Sequence, residues 1–568
     1  MGKVSTTDSR GRSLKAHLCL IAIFAFFIQP LQADQPGKAA IASAHYLATE
    51  AGHEVLAKGG NAFDAAVAVG AVLAVVEQTS SGVGGGAFWV LRRASDGFEV
   101  MIDGREMAPG RAHTDMYLDA NGEVDRDLAL NGPLAAAIPG EIAGWDHLAS
   151  HYGKLPLAVS LQPAIRIARE GYPVYTKFYG MLKRSEKSMR RWPAATAVFL
   201  PNGKLPEMGQ VIKLPDLANI LEIVAREGRD GFYKGEVAQR LVDGVNNAGG
   251  IWSMADLEAY TIKERAPIRT MYHGYELVTA PPPSSGGIAI AEILNILGPV
   301  DLSKLDKAHR THLVVEAMRR AYRDRALYLG DPDFYPVPVE MLTDPNYAAG
   351  LRAGIMFDKA TPSSMIPGRE KPPEGTDTSH FSIMDAEGNM VSATLTVNTP
   401  FGSKFMVPGT GFVLNNEMDD FSAKPGEPNS YGLIGFTANE IQPHKRPLSS
   451  MSPTLMIGED RVAAIGTPGG SRIITMVLLG ILDFMDGNEP ESWVALPRYH
   501  HQYLPDKVFA EPDAFNTEDV SALEAMGHTV QVGERRWGNM HGVMWDRKTG
   551  EVTAGSDARS DAGKAIVR

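Results

Sequence analysis

One threonine in the C-terminal half of the chain is placed where a self-activated nucleophile could form. Thr378 lies between a loop rich in proline and charge, residues 369–374, and an alternating pattern that predicts the first strand of a β-hairpin. If the Asp377–Thr378 bond were cut, the new α-amine would titrate near pH ~8 beside the hydroxyl of the same residue. That amine could then act as the general base for the hydroxyl. A purely structural role is the alternative, because threonine is a good strand residue.

Polar residues that follow this hairpin could serve the nucleophile or its substrate. Thr396 and Asn398 share one face at the end of the second predicted strand, residues 390–397, so either could bond the Thr378 amine. An acidic cluster that includes Glu417 and Asp420 would suit a cationic ammonium group if it lined a pocket. Such clusters also cap helices or face solvent.

A single arginine offers the opposite charge. Arg105 lies between apolar strand residues and the stop at Pro109, where its planar fork could bind a carboxylate through two hydrogen bonds. The ordinary alternative is a solvated surface arginine. Together, the arginine and the acidic cluster match the two charged ends of an amino acid.

A glycine pair predicts a site for a developing negative charge. Gly469 and Gly470 precede an apolar run, residues 473–482, that predicts a buried helix. Free N–H groups and the helix dipole would form an oxyanion hole for acyl transfer. Ser449 and Ser450 add hydroxyls in a loop bounded by prolines. The glycines at 82–86 are not placed between a strand and a helix and are not followed by the lysine of a nucleotide-binding loop. We therefore interpret them as a place where backbone segments pack closely in front of a strand.

Composition excludes several other functions. The net charge of -12 argues against nucleic acid as a partner. The only cysteine, Cys19, lies in the N-terminal segment, so the rest of the chain has no disulfide or thiolate site. His309 and His312 have a spacing compatible with a metal, but no third ligand is near in sequence, which favours ordinary polar contacts. We therefore predict no metal and no cofactor.

Residues 1–33 have the pattern of a cleaved signal peptide. Lys3, Arg10, Arg12 and Lys15 precede an apolar run at 18–28, which is shorter than the ~20 residues needed to span a bilayer. We therefore expect an exported protein, periplasmic or secreted. Among the remaining elements, the pattern predicts helices at 62–76, 158–170, 217–227 and 288–297, a mostly helical region at 138–260, and an exposed linker at 352–377.

Several long motifs together resemble the γ-glutamyltranspeptidase family. The match is colinear from about residue 38 to the C-terminus. The motifs are SGVGGG at 81–86, PPPSSGG at 281–287, TSH at 378–380, NNEMDDFS at 415–422, PLSSMSPT at 447–454 and PGGSR at 468–472.

The resemblance implies an α+β fold of the N-terminal nucleophile hydrolase type, a four-layer αββα sandwich. One precursor would cleave itself at Asp377–Thr378 into a large subunit, residues 34–377, and a small subunit, residues 378–568. The resemblance implies that Thr378 is the catalytic nucleophile, with Thr396 hydrogen-bonded to it, and that Gly469 and Gly470 form the oxyanion hole. The substrate α-carboxylate would be bound by Arg105, Ser449 and Ser450, and its α-ammonium by Asn398, Glu417 and Asp420. Tyr431 would belong to a lid that covers the substrate.

The implied reaction transfers a γ-glutamyl group. Thr378 would attack the γ-amide of glutathione or a related γ-glutamyl compound, and water or an amino acid or dipeptide acceptor would resolve the glutamyl-enzyme. Two alternatives remain: a glutaryl-cephalosporin acylase of the same fold, which needs no ammonium pocket, and a non-catalytic exported protein that binds amino acids. The motif at 421–432 matches the lid that many acylases lack, which favours the transpeptidase.

Overall fold

The computed structural model describes residues 35–365 and 378–568. The predicted signal peptide, Asp377 and most of the predicted linker's C-terminal half lie outside these residues. Within the two described ranges, no helix combines the length and apolarity needed to cross a membrane.

Eighteen strands occur in the described residues, several of them in consecutive runs. They are β1 Ala40–Ser43, β2 Gly86–Arg92, β3 Glu99–Gly104, β4 Tyr172–Pro173, β5 Val211–Ile212, β6 Lys263–Arg265, β7 Ile268–Tyr272, β8 Tyr275–Thr279, β9 Ser379–Met384, β10 Met390–Thr396, β11 Thr454–Ile457, β12 Arg461–Gly466, β13 Tyr499–His500, β14 Val508–Ala510, β15 Val530–Val532, β16 His541–Asp546, β17 Val552–Ser556 and β18 Lys564–Val567.

The α-helices account for most of the region between β3 and β6, as predicted. They are α1 Tyr46–Ala57, α2 Ala62–Val76, α3 Arg126–Leu130, α4 Glu141–His151, α5 Leu157–Glu170, α6 Thr176–Met189, α7 Pro193–Phe199, α8 Pro215–Glu227, α9 Asp230–Tyr233, α10 Gly235–Asn247, α11 Met254–Ala259, α12 Gly286–Leu297, α13 Lys307–Tyr328, α14 Val339–Thr343, α15 Pro345–Ala353, α16 Ile473–Met485, α17 Pro490–Ala495 and α18 Thr517–Ala525.

Two large sheets form the middle of the molecule. The first has the strand order β18-β1-β9-β10-β2-β3-β6 and the second β17-β16-β12-β11-β8-β7. They pack face to face, with β9 and β10 against β12 and β16. Helices α1, α2, α4 and α5 cover the first sheet, while α12, α13 and α16 cover the second. This is the four-layer αββα sandwich that the resemblance implied.

Alternation along the central hairpin decides which side chains reach the space between the sheets. Phe381 and Ile383 of β9, with Val391 of β10, pack into the core under the helices. The intervening residues, such as Met384 and Met390, belong to the core on the other side. Because side chains alternate along a strand, Thr378 and Thr396 both point toward the second sheet.

Helix α2 shows why the sequence predicted interior elements correctly. Its bounds agree with the predicted 62–76, and every residue of it is buried. Asn61 caps the helix by accepting hydrogen bonds from the N–H groups of Phe63 and Asp64, while Asp64 accepts from the Asn61 N–H. The predicted helices at 158–170, 217–227, 288–297 and 473–482 are also confirmed, with ends differing by up to three residues.

Candidate active site

Thr378 lies at the start of β9, in a buried position between the two sheets, with 4 % of its surface exposed. The register of β9 with β10 pairs Ser379 with Leu395, so Thr396 comes opposite Thr378 one step further on. The Thr396 hydroxyl oxygen accepts a hydrogen bond from the Asn398 N–H at 2.7 Å. Among the described residues, no hydrogen bond joins Thr396 to Thr378, the bond that the resemblance implied.

A small cavity opens beside Thr378, which we call the Thr378 pocket. Its cavity volume is about 20 Å³. All of the predicted site residues that are described, except Gly469, line it together with five that the sequence analysis did not single out. The lining residues are Arg105, Arg325, Thr378, Thr396, Asn398, Glu417, Asp420, Tyr431, Leu433, Leu448, Ser449, Ser450, Met451, Gly470 and Ile473.

The predicted carboxylate-binding arginine contacts the predicted ammonium-binding acids. Nη1 of Arg105 donates to Oε1 of Glu417 at 2.7 Å, and Nη2 donates to Oδ2 of Asp420 at 2.6 Å. A third acid, Glu106, lies 3.3 Å from Nη1, and the Pro447 carbonyl accepts from Nε at 3.1 Å. The guanidinium is thus held at the centre of a buried ionic cluster.

Burial and charge act in opposite directions on this cluster. Burial raises the pKa of Glu417 well above its ordinary value, while the Arg105 charge works against that rise. Burial likewise raises the pKa of Glu106, to about 7, and the pKa of Asp420. For Arg105, burial alone would lower the pKa, but Glu417, Glu106 and Asp420 raise it above the usual value. Arg105 therefore stays charged, and its positive charge favours the ionised form of Glu417, Glu106 and Asp420.

Two buried acceptor oxygens of the pocket have no partner. Among the described residues, Oδ1 of Asn398 and Oε2 of Glu417 receive no hydrogen bond of good geometry, although the Thr396 hydroxyl is close enough to Glu417 to lower the pKa of its carboxyl. Asn398 is fixed by its own contacts, because its N–H donates to Thr396 and its side-chain nitrogen donates to the Asn416 carbonyl at 2.9 Å. Buried acceptors without donors are costly. The pocket therefore offers two prepared acceptors to a ligand with several N–H donors.

A second buried arginine lies at the serine side of the pocket. Arg325 of α13 donates from Nη2 to Oγ of Ser450 at 3.2 Å and from Nε to Oγ of Ser285 at 2.9 Å. Within the described ranges it forms no ion pair, and burial lowers its pKa to about 10. The sequence analysis missed this residue. The basic run on α13 was the available signal, but it did not show which arginine reaches the pocket.

The glycine pair begins the turn that leads into α16. Gly469 has φ 148° and Gly470 has φ 56°, and residues 470–472 form one turn of 3-10 helix. In the described parts of the chain, no acceptor is bound to the N–H of either glycine. Gly470 lines the Thr378 pocket, whereas Gly469 lines a larger groove to which Thr378 also contributes. Two unpaired donors beside a hydroxyl suit an oxyanion.

Close backbone packing and a covering tyrosine complete the pocket. A Cβ at Gly85 would lie 2.0 Å from the Thr396 carbonyl oxygen, so the glycine run serves the close approach that its sequence indicated. Tyr431 is buried, and its hydroxyl donates to the Asn398 carbonyl at 2.6 Å. The amide of Asn429 donates to Asp420 at 3.2 Å and thereby holds the predicted lid segment to the acidic cluster.

The histidines with metal-like spacing lie away from this site. His309 bonds to Asp306 at 2.7 Å. His312 is joined to His528 at 2.7 Å, and Glu316 brings a carboxylate close enough for all three to be candidate ligands. However, Arg319 and Arg320 both donate to that carboxylate, so the described residues satisfy it without a metal.

Comparison with known proteins identifies relatives in the family that the sequence motifs resemble. A sequence model described as Gamma-glutamyltranspeptidase matches residues 48–567. A glutathione hydrolase proenzyme of Pseudomonas sp. (strain A14) is 44% identical over 492 residues, covering 86% of this chain and 85% of that one. The glutathione hydrolase proenzyme of Escherichia coli (strain K12) is 41% identical over 526 residues, covering 92% and 90%.

Solved structures agree with the sequence relatives. A cephalosporin acylase from Bacillus halodurans superposes with a TM-score of 0.82 at 29% identity, covering 93% of this chain and 95% of that one. The gamma-glutamyltranspeptidase of Helicobacter pylori has a TM-score of 0.56 at 38% identity, covering 57% and 94%.

Proposed function

The chain belongs to the gamma-glutamyltranspeptidase family, and on that premise we propose that it is a glutathione hydrolase and γ-glutamyltransferase. Thr378 is its nucleophile, and the Thr378 pocket holds the glutamyl group of glutathione or a related γ-glutamyl compound. Water or the amine of an amino acid or dipeptide accepts that group.

The observation that carries this proposal is the pair of unpartnered oxygens in the pocket. Oδ1 of Asn398 and Oε2 of Glu417 are buried acceptors of two residues that line the same cavity as Thr378. An α-ammonium group has three donors and no acceptor. It would satisfy both oxygens and add a cation beside acids whose pKa burial has raised.

The other end of the glutamyl group is assigned to the serines and to two arginines. Ser449 and Ser450 line the pocket, and Arg325 donates a hydrogen bond to Ser450. Arg105 is already paired with the acids, so Arg325 adds a second cation that has no carboxylate partner among the described residues. An α-carboxylate bound there would receive charge-assisted hydrogen bonds, which are stronger than neutral ones.

The reaction follows from these positions once Thr378 has a free amine. The amine takes the hydroxyl proton, the oxygen attacks the γ-carbonyl carbon, and the N–H groups of Gly469 and Gly470 stabilise the oxyanion. The intermediate then expels the amine of the leaving group, which takes the proton, and leaves an ester. A water or an acceptor amine attacks that ester and restores the hydroxyl.

Maturation and export are part of the proposal. A precursor cleaved between Asp377 and Thr378 gives two chains that remain one αββα unit, because β9 lies between β1 and β10 in the same sheet. Residues 1–33 support export through a signal peptide. The relatives named proenzymes support a processed precursor.

Intact-mass analysis and N-terminal sequencing of the purified protein test this proposal. We expect two chains, one of which begins Thr378-Ser379-His380, and release of p-nitroaniline from γ-glutamyl-p-nitroanilide. A single uncut chain without turnover would overturn it. The glutaryl analogue of the donor, which lacks the ammonium, distinguishes the acylase alternative, because an acylase would prefer it.

A further inference from the structure

A buried glutamine ties the predicted lid segment, residues 421–432, to a neighbouring loop at residues 500–506. The side-chain nitrogen of Gln502 donates a hydrogen bond to the Gly432 carbonyl at 3.2 Å. Gly432 follows Tyr431, which lines the Thr378 pocket. Gln502 is buried and does not line that pocket itself, so its connection with the pocket runs through the lid segment.

The amide of Gln502 is held in one orientation. Its nitrogen also donates to the Leu504 carbonyl at 3.3 Å, so its oxygen is the atom that accepts from Nε2 of His500 at 2.8 Å. Nδ1 of His500 lies 2.8 Å from the Thr475 hydroxyl on α16, the helix that follows the glycine pair. Burial lowers the pKa of His500 well below its ordinary value, so the ring stays neutral. Gln502 thus presents a fixed donor to the lid segment.

Residues that precede the predicted cleavage site hold the 500–506 loop from another direction. The N–H of Ser363 donates to Oδ2 of Asp506 at 2.7 Å, and the Ser363 hydroxyl donates to the Tyr503 carbonyl at 2.7 Å. Nη1 of Arg319 contacts both the Ser363 hydroxyl and Asp506. Ser363 is fully buried, in a stretch that the sequence predicted to be an exposed linker.

Helix α13 holds residues 354–363, which we call the tail segment. Oε1 of Glu316 accepts from the Thr361 N–H at 3.1 Å. Nη2 of Arg320 donates to the Gly354 carbonyl at 3.1 Å, and Nη1 donates to Oε2 of Glu316 at 2.7 Å. These contacts lie within the proposed large subunit, so they do not require the bond between the two subunits to be intact.

We infer that Gln502 is a positioning residue for the lid segment, and that the tail segment remains bound to α13 after cleavage and positions Gln502. The large subunit thus contributes to the closing of the Thr378 pocket through a loop of the small subunit. This inference rests on the proposed function, because the lid segment covers the site proposed for the glutamyl group. Since Gln502 does not line the pocket, its effect should fall on donor binding rather than on the chemical step.

The variant Gln502→Met tests the bond to the lid segment. Methionine is close to glutamine in length, but it cannot donate to the Gly432 carbonyl. We expect KM for γ-glutamyl-p-nitroanilide to rise about three- to tenfold, as for one lost hydrogen bond, while kcat changes by less than about twofold. A merely structural defect would instead lower the apparent kcat and leave KM unchanged, because fewer molecules would be active but each would bind the donor normally.

Hydrogen exchange of the purified two-chain protein tests the position of the tail segment. The N–H groups of Thr361 and Ser363 donate to carboxylates, so both should exchange slowly in the mature wild type. We expect exchange at least about tenfold slower than in an unstructured peptide of the same sequence. Exchange as fast as in that peptide would show that the tail segment leaves α13 after cleavage, and would overturn its assigned role.

Two variants separate the steps of the inference. Ser363→Ala removes the hydroxyl that bonds to Tyr503, and it should speed exchange at least about threefold in both the 500–506 loop and the lid segment. Gln502→Met should speed exchange in the lid segment and leave the tail segment unchanged.

Asn295→Leu is the matched control for the loss of an amide. The side-chain nitrogen of Asn295 also donates to a loop carbonyl, that of Thr343 at 2.9 Å, but Asn295 does not line the Thr378 pocket. This variant should keep the wild-type KM and the wild-type exchange of the lid segment.

The outcomes distinguish this inference from the proposed function. If the wild type releases no p-nitroaniline, the proposed function has failed, whereas exchange can still be compared in the folded protein. If the wild type turns over the donor but Gln502→Met keeps its KM and its lid exchange, Gln502 does not position the lid segment. If Ser363→Ala leaves the lid exchange unchanged, the tail segment does not act on it. The wild-type exchange tests the tail segment even if a variant does not fold.

Discussion

Arg105 donates a hydrogen bond from Nη1 to Oε1 of Glu417 at 2.7 Å, and both residues are buried. The resemblance assigns these two residues to opposite charges of one substrate. Their direct contact means that binding does not fill an empty cationic site. Under the proposed function, the ammonium and carboxylate of the substrate would instead join an existing ion pair, and Oε2 of Glu417 would remain for the ammonium.

Removing Arg105 should therefore destabilise the fold as well as prevent binding. In Arg105→Met, the acids Glu106, Glu417 and Asp420 lose their shared cation, and breaking a buried pair in this way costs about 3–5 kcal/mol. Adding Glu417→Gln should return part of that stability, because one uncompensated charge is removed. Urea unfolding of the two single variants and the double variant measures the coupling. Strict additivity would contradict the contact.

The pH dependence of KM should report the protonation of Glu417. Because burial raises the pKa of this carboxyl, it takes up a proton at a higher pH than an exposed glutamate. KM for the γ-glutamyl donor should rise as the pH falls, beginning above the ordinary value of 4.5. In Glu417→Gln, KM should be higher at pH 8 and change less with pH. A wild-type KM that stays flat from neutral pH to about 4 would contradict the role.

The raised pKa of Glu417 also predicts how stability changes with pH. For an acid whose folded pKa is raised, the stabilising contribution is fully present below the unfolded pKa and is lost as the pH rises through the folded pKa. Glu417→Gln should thus gain stability relative to the wild type as the pH increases from 5 to 8. Thermal unfolding of both proteins at several pH values measures the difference in stability. If Glu417→Gln instead lost stability relative to the wild type between pH 5 and 8, the pKa of Glu417 would not be raised.

Substituting Thr378 should abolish maturation and turnover together. Thr378→Ala lacks the hydroxyl, so we expect one uncut chain and a loss of at least about 10³-fold in kcat. Thr378→Ser keeps the hydroxyl and, once cleaved, the amine, so it should still mature and turn over donor at a reduced rate. Denaturing gels and p-nitroaniline release follow the two properties. A cleaved and active Thr378→Ala protein would exclude this residue as the nucleophile.

Arg325 should contribute mainly to substrate binding. Arg325→Met keeps much of the apolar stem but removes the hydrogen bonds to Ser285 and Ser450. Loss of charge-assisted bonds to the substrate should raise KM by about 10- to 100-fold, with a smaller effect on kcat. Arg323→Met is the control, because Arg323 lies two residues before Arg325 on α13 and does not line the pocket. Equal KM values for the wild type and Arg325→Met would remove Arg325 from the carboxylate site.

Gly469 should be intolerant of a side chain. Its φ of 148° is in the region that favours glycine, and a Cβ would lie 2.3 Å from Cε of Met476. Gly469→Ala should therefore move the N–H groups that stabilise the oxyanion and lower kcat by about 10²-fold, with little change in KM. Steady-state kinetics of the mature variant check this. Adding Met476→Ala relieves the contact but not the backbone strain, so recovery should be partial.

The sequence by itself determined the local elements and selected residues that the structure brings into one pocket. Helix α2 and the β9–β10 hairpin follow from patterns within a few residues of each other, such as the Asn61 cap and the alternation at Val391. The motifs also selected residues that share the Thr378 pocket, although they are distant in sequence. Local propensity and characteristic motifs are properties of short segments, so a sequence alone carries them.

Only the tertiary structure decided how those segments meet. The contact of Arg105 with Glu417 joins residues 312 positions apart. Arg325 reaches the pocket because α13 packs beside α12 and the loop of Ser450. Next to Arg105, a Cβ at Gly104 would lie 2.8 Å from the Trp89 ring, so the packing of Trp89 leaves no room for a larger residue there. Packing fixes such contacts through shape and burial, and neither can be computed from spacing along the chain.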